Sequence, residues 1–177
     1  MFVHGTGDSI IGDTWRNNGF RMTIEEFIRR GYTEAELYGS AWGWGDFYHE
    51  FNHVYQQEYV IYIRKFIEAV IEYTGAEQID VIAHSMGVPL ARRALKGGLH
   101  KSERSGESLT HSFYDLGDPL TDKVAHFIAI VGPNYGVLNC SEKIYQSLYP
   151  RGCDRRVGFY PGTVPGNPFP PDMSYQL

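Results

Sequence analysis

Residues 79–89 read Ile-Asp-Val-Ile-Ala-His-Ser-Met-Gly-Val-Pro, and the reading of the fold turns on them. Ile79 to Ala83 is an apolar run rich in β-branched side chains, the signature of a buried strand. It gives way to His84-Ser85-Met86-Gly87, after which Val88 to Lys96 has the composition of a helix. Strand, sharp turn of small residues and helix form the context in which a serine becomes a nucleophile above an α/β sheet. Ala83 and Gly87, two residues before and after Ser85, permit a close approach of strand and helix, and Pro89 falls in the first helical turn, where a missing N–H costs little. The pattern is A-x-S-x-G rather than the stricter G-x-S-x-G, so the remaining chain must support it.

At 177 residues the chain suits one domain with a real core. A net charge of −5 with no lysine or arginine run leaves no electrostatic footprint for nucleic acid. No apolar run is long enough to span a membrane. Cys140 and Cys153 are too few to build a zinc site, and neither a metal nor a cofactor is expected. Their spacing leaves a disulfide and two free thiols equally open.

Taken in order, Met1 to His4 reads as a strand, and Gly5-Thr6-Gly7-Asp8 as the loop leaving it. Thr23 and Glu26 fit a capping box, with Met22 and Phe27 as its hydrophobic staple. The helix so capped presents Ile24, Phe27 and Ile28 inward and stops at Gly31. Leu37 to Trp42 reads as a second strand, and Ala41 to Tyr55 as an aromatic loop. A long helix over 55–73 carries Tyr59, Ile63, Phe66, Ile67 and Val70 on one face, with Arg64, Lys65, Glu68 and Glu72 opposite. Residues 99–122 read as a surface excursion. Val124 to Val131 reads as the clearest buried strand, with His126 at a core position, and the turn Gly132 to Gly136 follows it. The expectation is a core over 1–148 with four strands, then a Pro- and Gly-rich irregular tail over 149–177. Alternating strands and helices imply an open, mostly parallel sheet with helices on both faces. The site then lies at the carboxyl ends of the strands.

Acyl transfer needs a nucleophile, a base, a group that orients the base, and donors for the oxyanion. Ser85 is the expected nucleophile. The expected donors are the amide of Met86, which follows it, and the amide of Thr6 in the loop after the first strand. Trp42 and Trp44 are candidate walls for an acyl chain, and ordinary aromatic packing accounts for them as well. His84 is expected to point away from the pocket, and His4 to brace the oxyanion loop. Nucleotide binding at H-G-T-G is disfavoured, because neither G-x-G-x-x-G nor a P-loop lysine is present.

Seven segments carry a resemblance: V-H-G-T-G-D-S from Val3, N-N-G-F-R-M-T from Asn17, Y-x-x-A-E-L-Y-G from Tyr32, Y-I-R-K-F-I-E-A-V-I-E-Y-T-G from Tyr62, V-I-A-H-S-M-G-V-P-L-A-R-R-A-L-x-G-G from Val81, D-P-L-T-D-K-V from Asp118, and G-P-N-Y-G from Gly132. Together they make the chain similar to the class 2 lipases, the nematode lipase-related proteins in particular. The resemblance implies an α/β-hydrolase fold, hydrolysis of carboxylic esters of lipid type, and secretion, although no signal peptide is visible. It also matches Ser85 to the nucleophile, and Thr6 and Met86 to the oxyanion hole.

Hydrolases of this fold bring an acid and a histidine after the serine, in that order. After Ser85 come His100, His111 and His126, none with an Asp-then-His arrangement on strands, while Asp154 and Asp172 have no histidine behind them. The expectation is therefore a partial α/β-hydrolase fold, truncated at both ends, with nucleophile and oxyanion hole but without acid or base, and inactive or feeble by itself. The alternative is a non-catalytic relative that binds lipid or protein in the same pocket.

Overall fold

A computed structural model describes residues 1–12, 18–43, 53–54, 56–103, 111–154 and 158–161. Its centre is strand β2, Ile79–His84, which pairs in parallel with β1, Phe2–Val3, on one side and with β5, Val124–Ile130, on the other. The register sets Phe2 against Ile82 and Val3 against Ala83, so side chains alternate cleanly between the two faces of the sheet. Phe2 and Ile82 form one face with Phe20, and there meet Ile24 and Phe27 of helix α1, Arg21–Arg29. Val3, Val81 and Ala83 point the other way, into the main core. Two helices supply that core: α2, Gln57–Thr74, and α3, Gly87–Lys96. The α/β layering with helices against both faces is as expected.

α2 forms because Val60, Ile63, Ile67 and Val70 recur at helical spacing and all are buried. Each fully buried aliphatic side chain of this kind contributes roughly 1.5–3 kcal/mol. Gly75 ends the helix in the left-handed region at φ +66°, its N–H bonded to Ile71.

Several elements depart from the sequence reading. α1 starts at Arg21 with Phe20 as its N-cap residue, so Thr23 lies inside the helix and caps nothing. Phe20 anchors the start, its ring 5.1 Å from that of Phe2. Glu26 instead holds Arg29 and Arg30. The capping box occurs ten residues later, where Thr33 and Glu36 close a 3-10 turn over Glu34–Glu36. Met22 and Ile28 are exposed, leaving Ile24 and Phe27 as the inner face.

The expected strand over 37–42 reduces to a single parallel bridge, Phe2 to Gly39. The Trp42 amide is committed to the His4 ring, not to a ladder. Arg64, assigned to the outer face of α2, is buried. Its guanidinium donates to the carbonyls of Ala94 and Asp118 and to Glu68, tying α2 to the end of α3. The presumed excursion over 99–122 contains an antiparallel hairpin, β3 Leu99–Glu103 with β4 His111–Asp115.

β5 is not buried on both faces: Ile128 is 49% and Ile130 38% exposed. Among the described residues β2 is its one partner in the sheet, so its far edge is uncovered. His126 is accordingly no core residue, and its ring bonds Asp80 at 2.8 Å on the surface.

Beyond β5 come a 3-10 turn, Leu138–Ser141, and helix α4, Lys143–Leu148. Cys140 and Cys153 are joined in a disulfide, and Phe159 packs into the main core. The first part of the expected tail is thus stapled to the domain, and residues 162–177 lie outside the described set.

Candidate active site

Ser85 stands at the end of β2 with φ +50°, a left-handed conformation that a non-glycine residue adopts only where its surroundings enforce it. Two contacts enforce it here. The Ser85 amide donates to the Ile130 carbonyl at 2.8 Å, extending the β2–β5 ladder by one residue. The Ser85 carbonyl then accepts from the Val88 amide at 3.0 Å, starting the turn into α3. The chain reverses within one residue and leaves the Ser85 side chain at the tip.

The loop after β1 lies directly against this tip. A Cβ on Gly87 would sit 2.3 Å from the His4 carbonyl oxygen and 2.7 Å from that of Val3. A Cβ on Gly5 would sit 2.9 Å from the Cβ of Ser85. Glycine at both positions is what lets the two segments touch. Thr6 follows Gly5 at once, in a turn where the Asp8 amide reaches back to the Gly5 carbonyl and Gly7 takes φ +67°. Met86 precedes the first residue of α3, so its amide has no intrahelical acceptor.

His4 holds the loop from beneath. It is buried, and its Nε2 accepts the Trp42 amide at 3.0 Å. Its proton therefore resides on Nδ1, which donates to the Gly5 carbonyl at 2.6 Å. The Trp42 indole stacks on the ring, with centroids 5.1 Å apart, and donates to the His4 carbonyl at 2.8 Å. Burial lowers the pKa of His4 below the usual histidine value, outweighing the Gly5 bond and the Asp8 charge, and the nearby His84 pushes the same way. His4 is a neutral brace. Trp42 is itself buried and takes no part in the pocket wall, and Trp44 lies outside the described residues. His84 is half-buried, with its Nδ1 beside Gly5 and its side chain away from the pocket lining.

Ser85, Thr6 and Met86 line one cavity of about 160 Å³ together with His53. The rest of the lining is largely apolar: Val131, Pro133, Val137, Tyr149, Phe159 and the Cys140–Cys153 disulfide. Val131 is a second strained residue at this rim, at φ +49° immediately after β5. His53 is buried and its Nδ1 lies 2.5 Å from the Thr6 hydroxyl. Sequence reasoning passed over it, because no motif or spacing sets it apart within the aromatic stretch.

A family model described as Lipase (class 2) matches residues 1–165 of the chain. The chain belongs to the class 2 lipase family. No curated protein matches it. Membership makes it a lipase-like hydrolase in general terms, for which esters are the fitting substrates. In this family member no helix among the described residues is long and apolar enough to cross a membrane. Among the same residues no group of three or more histidine, cysteine or acidic side chains could hold a metal. The described lining of the cavity at Ser85 contains His53 but no carboxylate. A histidine–aspartate pair does exist at His126 and Asp80, at the opposite end of β2 from Ser85 and outside the pocket.

Proposed function

We propose that this protein is a serine ester hydrolase of lipase type in which Ser85 is the nucleophile and the amides of Thr6 and Met86 form the oxyanion hole. The observation that carries the reading is the strained backbone of Ser85, held at φ +50° with the Thr6 loop packed against its Cβ. Such strain at the rim of a cavity is what presentation of a nucleophile requires. Ser85 Oγ attacks the ester carbonyl and loses its proton to a base. The carbonyl oxygen gains negative charge, which the two amides hold. The alkoxide leaves with a proton, and water then attacks the acyl-serine and releases the carboxylic acid.

The largely apolar lining of the cavity favours an apolar acyl group on the substrate. Trp42 contributes from behind the loop, through His4. The disulfide fits an oxidising compartment and so supports secretion.

The second reading is a non-catalytic relative that binds lipid or protein. It draws on the absence of a carboxylate from the described pocket lining. Hydrolysis of a series of p-nitrophenyl esters by the wild type and by Ser85→Ala separates the two readings. The proposal expects slow turnover that requires Ser85 and favours apolar acyl groups. Equal rates in the two proteins would favour the binding role.

A further inference from the structure

We infer that His53 is a positioning residue of this site, whose imidazole holds Thr6 and through it the oxyanion loop. The inference rests on the reading of Ser85, Thr6 and Met86 given above. The contact is a 2.5 Å hydrogen bond from the Thr6 hydroxyl oxygen to His53 Nδ1, joining residues 47 apart in sequence. It links the loop after β1 to the segment that leads into α2, and both residues line the cavity that holds Ser85.

The loop needs such a tether. Thr6 is flanked by Gly5 and Gly7, whose own backbones are the least restricted of any residue type. The turn over 5–8 is closed by a long hydrogen bond of 3.4 Å. The Thr6 side chain gives the loop an anchor beyond that turn.

The tether is itself rigid. His53 is 5% exposed. Its ring meets Trp42 and Tyr59 edge-on, with centroids 5.8 Å away in each case. Gly43 lies on its Nε2 side, where an added Cβ would come to 3.5 Å, an ordinary contact. Trp42 is the same ring that stacks on His4, so the two histidines grip the loop from one aromatic cluster. His4 holds the carbonyl of Gly5, and His53 holds the side chain of Thr6. An oxyanion donor is effective only where it is already placed before charge develops.

The test uses the full chain, with steady-state hydrolysis of p-nitrophenyl butyrate and the rate of covalent modification by a fluorophosphonate. His53→Leu keeps bulk but loses the hydrogen bond. His53→Asn can set an amide atom near the position of Nδ1. Thr6→Val removes only the hydroxyl. We expect His53→Leu and Thr6→Val each to lower kcat by roughly 10- to 100-fold, with KM changed less than about threefold. The double variant should be no slower than the worse single one, since both remove the same bond. His53→Asn should recover most of the lost rate. If His53→Leu fails to fold, as judged by thermal unfolding, the near-isosteric Thr6→Val carries the test.

Ser85-dependent turnover that is indifferent to Thr6→Val overturns this inference alone. So does a His53→Asn protein as slow as His53→Leu beside an active Thr6→Val, which would make the imidazole a proton carrier. Absence of any Ser85-dependent turnover or modification in the wild type overturns the parent reading, and this one with it.

Discussion

Replacing Gly87 by alanine tests the contact on which the site depends. The new Cβ would lie 2.3 Å from the His4 carbonyl oxygen and 2.7 Å from that of Val3, while an ordinary contact begins near 3.4 Å. Both obstructing atoms are backbone at the end of β1 and cannot swing aside, so α3 and β1 must separate by about 1 Å. Overpacking of this kind costs roughly 1–3 kcal/mol, and an obstruction by backbone belongs at the upper end. For a domain of this size that lowers Tm by roughly 6–12 °C. The same displacement moves Ser85 from the oxyanion loop, and a misplacement of about 1 Å costs on the order of 10²-fold in rate. The comparison variant is Gly75→Ala, at φ +66° with nothing within 4 Å of its Cβ. There the left-handed strain costs about 1–2 kcal/mol but touches no part of the site. Thermal unfolding and ester hydrolysis of both variants give the answer. The reasoning is refuted if Gly87→Ala melts and reacts like the wild type, or if Gly75→Ala loses as much rate as Gly87→Ala.

Two further outcomes are expected. His4 is held neutral by burial, so above pH 6.5 neither the folded nor the unfolded chain carries charge there and its contribution to stability is complete. As pH falls through 6.5 the unfolded chain binds a proton that the folded chain does not, and stability falls with a slope of at most about 1.4 kcal/mol per pH unit. His100 adds in the same sense, its pKa lowered by burial and by Arg93. Urea midpoints at pH 7.5 and 5.5 measure the effect, and a midpoint that rises on acidification contradicts it. Reduction of Cys140–Cys153, or its double replacement by serine, opens a loop with a sequence separation of 13 and should cost about 3 kcal/mol. Thermal scans with and without reductant check this, and because the disulfide walls the pocket, KM for longer acyl esters should rise; unchanged scans count against the assignment.

Much of the site was legible in the sequence because it is encoded locally. The β-branched run, the small residues at 83 and 87 and the serine between them mark an elbow without tertiary information. What the sequence could not supply was contact between distant segments. That Gly87 faces the carbonyl of His4 depends on the pairing of β1 with β2. Thr23-x-x-Glu26 and Thr33-x-x-Glu36 are the same local motif, and the packing of Phe20 on Phe2 decides that only the second caps a turn. Arg64 sits on the polar side of a helical wheel, yet carbonyls of Ala94 and Asp118 draw it inward. Val124 to Val131 has one composition whether one face of its sheet is covered or both, so burial was misjudged there. His53 carried no signal, since its partner Thr6 lies far away in sequence.

The most direct measurement is the mass of the intact protein, followed by peptide mapping, after reaction with a fluorophosphonate. The account predicts a single adduct on the peptide that contains Ser85, absent from Ser85→Ala and slowed in Gly87→Ala. An unmodified protein, an adduct on another residue, or equal labelling of Ser85→Ala would contradict it.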